Sequence, residues 1–209
     1  MRLSTYNILI KADNKNIVLN SLYGTIDEIE DEIYFALLKG TVDDISEDIQ
    51  KELLSRGYLT TFTVEKETGI VKNIIKQYYA LQKNENRKSY TIILSYNCNF
   101  RCPYCFEKQI GKIYPCWDVT DQPEHCIGTF FPEITENKQA LHKWRNRENV
   151  IIEKCIECPY VLYCGGGCMI KAKLKKRNFD EVECDSFPEI FKSHFLQEYH
   201  FAYQQIKQK

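Results

Sequence analysis

Ten cysteines are spread over the 209 residues, and their spacing constrains the fold more than any hydrophobic pattern does. Three fall within eight residues as Cys98-x3-Cys102-x2-Cys105, directly after the apolar β-type run Thr91-Ile92-Ile93-Leu94. Thiolates are the ligands that iron–sulfur clusters take. Three of them on a loop leaving a strand can grip three corners of a cubic cluster and leave its fourth iron open. An open metal position can bind substrate, whereas a closed four-ligand site holds structure or passes electrons. A second block, Cys155-x2-Cys158-x5-Cys164-x3-Cys168 with Cys184 downstream, is preceded by Gly111-x4-Cys116. The x2 spacing lets two thiolates reach one site from a tight turn. Gly165-Gly166-Gly167 relaxes the backbone so that Cys164 and Cys168 can diverge to different sites. Zinc knuckles use the same C-x2-C grip, so structural zinc is the alternative for this block.

Composition decides how those cysteines are read. The N-terminus, Met1-Arg2-Leu3-Ser4-Thr5-Tyr6-Asn7, lacks the continuous apolar core of a signal peptide. In a reducing compartment such a pattern means metal or redox chemistry sooner than disulfides. Lys plus Arg is 28 against 29 for Asp plus Glu, a net charge of −1 that points to neither a nucleic-acid nor a membrane-surface partner. No apolar run approaches the ~18 residues of a membrane span. The expectation is a soluble, cytoplasmic protein.

Along the chain, Tyr6–Ile10 and Asn16–Asn20 read as strands around a polar turn at Asp13-Asn14-Lys15, and Leu22–Ile26 as a third short strand or a turn. Asp27 is placed to cap a helix with Ile29, Ile33, Leu37 and Leu38 on one side, closed by Gly40. Ser46 opens a second helix with Ile49, Leu53 and Leu54 inward, stopped by Gly57. A third spans Glu67–Gln82, with Val71, Ile74, Ile75, Tyr78 and Leu81 on one side, and the polar stretch Gln82–Lys88 reads as a linker. Farther on, Ile113 and Tyr114 read as a short strand after a turn at Gly111. Ile134–Asn146 reads as an amphipathic helix using Ile134, Leu141 and Trp144, and Phe187–Gln208 as a closing helix.

The run Cys98 to Cys105, with Tyr104 just before the last cysteine, resembles the signature of radical S-adenosylmethionine (SAM) enzymes. That resemblance implies a 4Fe-4S cluster on Cys98, Cys102 and Cys105. Its open iron would chelate the methionine part of SAM, which is cleaved reductively to a 5′-deoxyadenosyl radical. The later block resembles the SPASM extension, which holds two auxiliary clusters in enzymes that modify ribosomally made peptides. Carried over residue by residue, Cys155, Cys158, Cys164 and Cys184 would hold the distal cluster, and Cys116 and Cys168 two corners of the proximal one. One or two auxiliary clusters are implied. Cys126 has no place in the pattern and reads as a rescue ligand or a plain buried thiol. The strand hairpin followed by small helices resembles the winged-helix peptide-recognition module of such enzymes, in which a leader peptide adds itself to an exposed edge strand. The alternative there is a small folding domain that binds nothing.

The chain departs from that family in one place. Each βα unit of a barrel takes ~30 residues, so a six-unit barrel needs on the order of 180 after its first strand. Between Cys105 and Gly111 there are five. Most of the barrel is expected to be missing, together with the glycine-rich SAM-contacting motif, as if by an internal deletion. The implied fold is α+β: a winged-helix-like module (1–85), a remnant first barrel strand and cluster loop (86–107), a small cysteine-rich SPASM-like domain (108–187) and a C-terminal helix (188–209).

The remaining candidates are weaker. His125, His142, His194 and His200 have no ligand-like spacing. Trp117 and Trp144 read as core, and the basic run Lys171–Arg177 as a solvated helix face. No serine elbow, P-loop or dinucleotide fingerprint is present, and no catalytic side chain is assigned. Two classes of function survive. One is a radical SAM/SPASM peptide maturase that uses a precursor peptide with a leader segment and an external electron donor. The other is a non-catalytic iron–sulfur or peptide-binding remnant, with a structural zinc protein as a third possibility.

Overall fold

A computed structural model describes residues 1–12, 15–84, 111–120, 122–184 and 186–207. The strand at Thr91–Leu94 and the loop with Cys98, Cys102 and Cys105 lie outside the described residues. Among the described residues the chain is mixed α+β, with three small antiparallel sheets and no closed barrel.

In the N-terminal part, β1 (Arg2–Leu3) pairs with β5 (Leu59–Thr60), and β2 (Asn7–Ala12), β3 (Lys15–Asn20) and β4 (Thr25–Ile29) form a sheet in that order. Side chains alternate across its two faces with the period of two that a strand imposes. Ile8, Ile10, Ile17 and Leu19 are buried with Phe191, Phe195 and Tyr199 of α8 (Phe187–Lys207). Val18 and Leu9 instead join Ala36 and Leu37 of α1 (Asp31–Lys39) and Leu53 of α2 (Glu47–Ser55). Burial on both faces explains the unbroken apolar run Ile17-Val18-Leu19 in β3.

Several expected boundaries move. Asp27 does not cap a helix: Thr25–Ile29 pairs with β3, and the Asp27 carboxylate accepts from Arg56 and from the Tyr58 hydroxyl, so α1 starts at Asp31. Leu38 is exposed, and α1 ends at Gly40, whose φ of 78° suits glycine. The third helix, α3 (Val64–Asn84), buries the line Glu67, Val71 and Ile75, while Ile74, Tyr78 and Leu81 lie on its exposed side.

After residue 111 the elements are short. Strands β6 (Lys112–Ile113), β7 (Gly128–Thr129) and β8 (Thr135–Glu136) make one sheet, followed by α4 (Lys138–Arg145), α5 (Arg147–Cys155), α6 (Val161–Cys164) and α7 (Met169–Lys176). The helix expected from Ile134 begins at Lys138, because Thr135 and Glu136 pair with β7 and the Asn137 side chain accepts from Ala140 N–H. Ile134 is exposed, and so is Trp117, whereas Trp144 packs against the buried Val119, Ile170 and Phe179. The two parts share a core: Tyr6, Val71 and Ile75 are buried with Ile151, Cys155 and Val161, and the Tyr6 hydroxyl donates to Ile156 O at 2.6 Å. Among the described residues no helix is long and apolar enough to cross a membrane.

Candidate metal centre

Three chain segments that carry four of the sequence-predicted ligands are held together. Cys155 is the last residue of α5 and is buried. The turn that follows brings Cys158 N–H to Cys155 O at 2.9 Å, the tight geometry a C-x2-C pair needs. Cys164 ends α6, and the glycines after it have φ of 60°, 79° and 73°, left-handed values that side chains resist. Gly167 then forms a parallel bridge with Glu183, where any Cβ would collide with the Glu183 carbonyl. That close approach is what sets Cys184 beside the glycine turn.

The thiols feel one another electrostatically. Burial, then the neighbouring Cys158, Cys184 and Cys164, push the Cys155 thiol up to about 11, and the Arg147 guanidinium opposes them. Cys164 is raised by burial and by Cys184 and Cys158, while the backbone N–H groups of Gly167 and Gly166 favour its thiolate. Mutual repulsion of this kind is what a thiolate-rich site carries until a cation neutralises it, because metal ligation requires deprotonated sulfur. Among the described residues, no three His, Cys, Asp or Glu side chains are closed to metal-binding distance. The donor set nonetheless fits a thiolate-bound metal: four soft ligands, with two amide N–H groups favouring one sulfur.

The other cysteines among the described residues have surroundings of their own. Cys116 packs against Val119, Ile170 and Phe179, and Cys168, exposed, is the N-cap of the helix that carries Ile170. Cys126 donates its thiol to Gly128 O at 3.0 Å. His125 is a core histidine. Its ring lies edge-on to Trp144 and Phe179, and its Nε2 is 2.6 Å from Lys173 Nζ. Burial, reinforced by Lys173, lowers its pKa. His142 and His194 are exposed.

A second candidate surface is the outer edge of β4. Beside it runs a groove lined by Ile29, Ile33, Ile49 and Leu53, with Glu30 and Glu52 also along it. Apolar floor beside an edge strand is the form that strand-adding peptides use.

Cysteine spacing gives no sign of Arg147, which is buried and spans backbone carbonyls of the cysteine-bearing segments. An arginine in the first turn of a helix, followed by Glu148 and Asn149, carries no local signal of burial. No family model matches the chain, and no curated protein and no solved structure matches it.

Proposed function

We propose that the chain is an iron–sulfur protein of the radical SAM/SPASM kind, or derives from one, acting on a ribosomally made precursor peptide. The observation that carries the reading is that the three segments bearing Cys155 and Cys158, Cys164, and Cys184 are drawn together by the Gly167–Glu183 bridge and the hydrogen bonds of Arg147. In this reading those four hold the distal auxiliary cluster, and Cys116 and Cys168 serve a proximal one. Cys98, Cys102 and Cys105 hold the cluster that binds SAM. When bound, the clusters supply one-electron transfer and an open iron for SAM. The polypeptide's own work is to hold deprotonated sulfur in place, to exclude water with the core of Ile151 and Val161, and to seat the leader along the outer edge of β4. An external donor supplies the electrons. The setting is the cytoplasm.

A second reading has its own observation. With five residues between Cys105 and Gly111, the barrel walls that would enclose the adenosyl group have no room in the sequence. The chain would then bind a cluster or a peptide without turning SAM over. Electron paramagnetic resonance on anaerobically reconstituted, reduced protein, recorded with and without SAM, separates the two. A cluster signal that changes with SAM, with 5′-deoxyadenosine formed, supports the enzyme. Cluster signals indifferent to SAM leave the binding protein. Colourless protein carrying zinc after the same preparation rejects both.

A further inference from the structure

Arg147 is 6% exposed, and among the described residues no carboxylate pairs with it. Its partners are carbonyls. Nη1 donates to Glu181 O at 2.7 Å and Phe179 O at 3.3 Å, and Nη2 donates to Gly166 O and, at 3.4 Å, to Gly167 O. Nε is buried with no hydrogen-bond partner among the described residues, and lies against Gly166, 3.5 Å from where a Cβ would stand. A buried cation without an anion is a costly thing for a fold to keep, so its surroundings must offer compensation. The carbonyls that hold it belong to segments bearing the cysteines, whose sulfurs become anionic when they bind metal.

The carbonyls it collects are also informative. Gly166 and Gly167 lie in the turn between Cys164 and Cys168, and Phe179 and Glu181 lie on the approach to Cys184. Arg147 itself stands on the helix that ends in Cys155. One guanidinium thus ties together the three segments that bear the converging thiols. Only arginine offers donors in so rigid and wide a fork.

We propose that Arg147 is the positioning residue of the cysteine site: its fork fixes the glycine turn and the Cys184 approach against α5, and its charge offsets the thiolates that bind metal. This rests on the reading of those cysteines as metal ligands. The test uses the full chain, reconstituted anaerobically with iron and sulfide in a Cys102→Ala background so that the signal comes from the C-terminal cysteines. It compares Arg147 with Arg147→Lys and Arg147→Met. Read out are the rate of iron loss to a chelator and the reduction potential of the bound cluster.

Arg147→Met should lose iron about 10-fold faster or more, the scale on which partners of metal ligands act. Its potential should be more negative, because the reduced cluster loses a neighbouring cation. Arg147→Lys should lose iron faster yet keep its potential near that of the parent, since it retains the charge without the fork. Should the methionine variant fail to fold, the lysine variant decides: faster iron loss at unchanged potential supports the role, and parental iron loss overturns it. Parental values in both variants also overturn it, while leaving the metal reading intact. A parent chain that takes up no iron overturns both.

Discussion

The residues before 84 and those after 111 are held together by different means. In the first region strands of five and six residues pair along their length, and a buried side-chain network locks them to α3. Glu67, with no exposure, accepts from Ser4 Oγ at 2.6 Å, Arg2 Nη2 at 2.8 Å and Thr5 N–H at 3.1 Å. Asn20 donates to Ser4 Oγ, Asn7 Oδ1 and Gly57 O. In the second region the strands are two residues long, and the buried cluster of its own is Val119, Ile170 and Phe179. Three more of its buried residues, Ile151, Cys155 and Val161, complete their packing on Tyr6, Val71 and Ile75 of the first. So the first region closes one core of its own around Val18, Leu37 and Leu53 and shares the rest with residues after 111, while the second has a smaller core of its own and gathers thiols beside the shared one. Small folds with little apolar burial rely on such cross-links, by metal or otherwise.

The contrast can be broken from either side. The largest effect is expected from Cys158→Ala. If metal supplies the missing stability, this change should remove upwards of about 4 kcal/mol from the second region, given the scale of structural metal binding. Anaerobic limited proteolysis would then cut after residue 111, while Cys102→Ala leaves the same segment protected. Equal cleavage in the two variants would contradict the division. Next comes Glu67→Ala, which strands Ser4, Thr5 and Arg2 in or near a buried site. A loss of about 3 kcal/mol in urea unfolding is expected, in line with breaking a buried pair, and it should be the same with or without bound metal.

The pH response sharpens the comparison on the second region alone. His125 is held neutral by burial and by Lys173, so its folded-state pKa lies below the ordinary value. The unfolded chain takes up a proton first as the pH falls below about 6.5. Stability should therefore be undiminished above that value, decline below it, and level off once the folded histidine is also protonated. His125→Phe should flatten that slope in a thermal melting series between pH 7 and 5. The smallest effect belongs to Ile134→Ser, at an exposed position, where the change should stay within about 0.5 kcal/mol.

The sequence made part of this architecture legible. Strands β2 and β3, α2 between Ser46 and Gly57, the short strand after Gly111 and the closing α8 all follow from local period and punctuation. Local rules fail where a distant partner decides. Asp27 is claimed by Arg56 and Tyr58, so a residue suited to capping lies in a strand. Ile134 precedes a two-residue pairing that no window of apolar spacing foretells. The cysteine spacing pointed to a shared site, but Arg147 could be found only from its partners, 19 to 34 residues farther along. The predicted cluster loop, Cys98 to Cys105, lies outside the described residues.

Amide hydrogen exchange followed by mass spectrometry, on the anaerobically reconstituted chain before and after metal removal by chelator, tests the dependence of the second region on metal most directly. Peptides from 138–184 should lose protection when the metal is withdrawn, while those from 15–60 keep theirs. Unchanged protection throughout, or equal loss in both regions, would contradict the account.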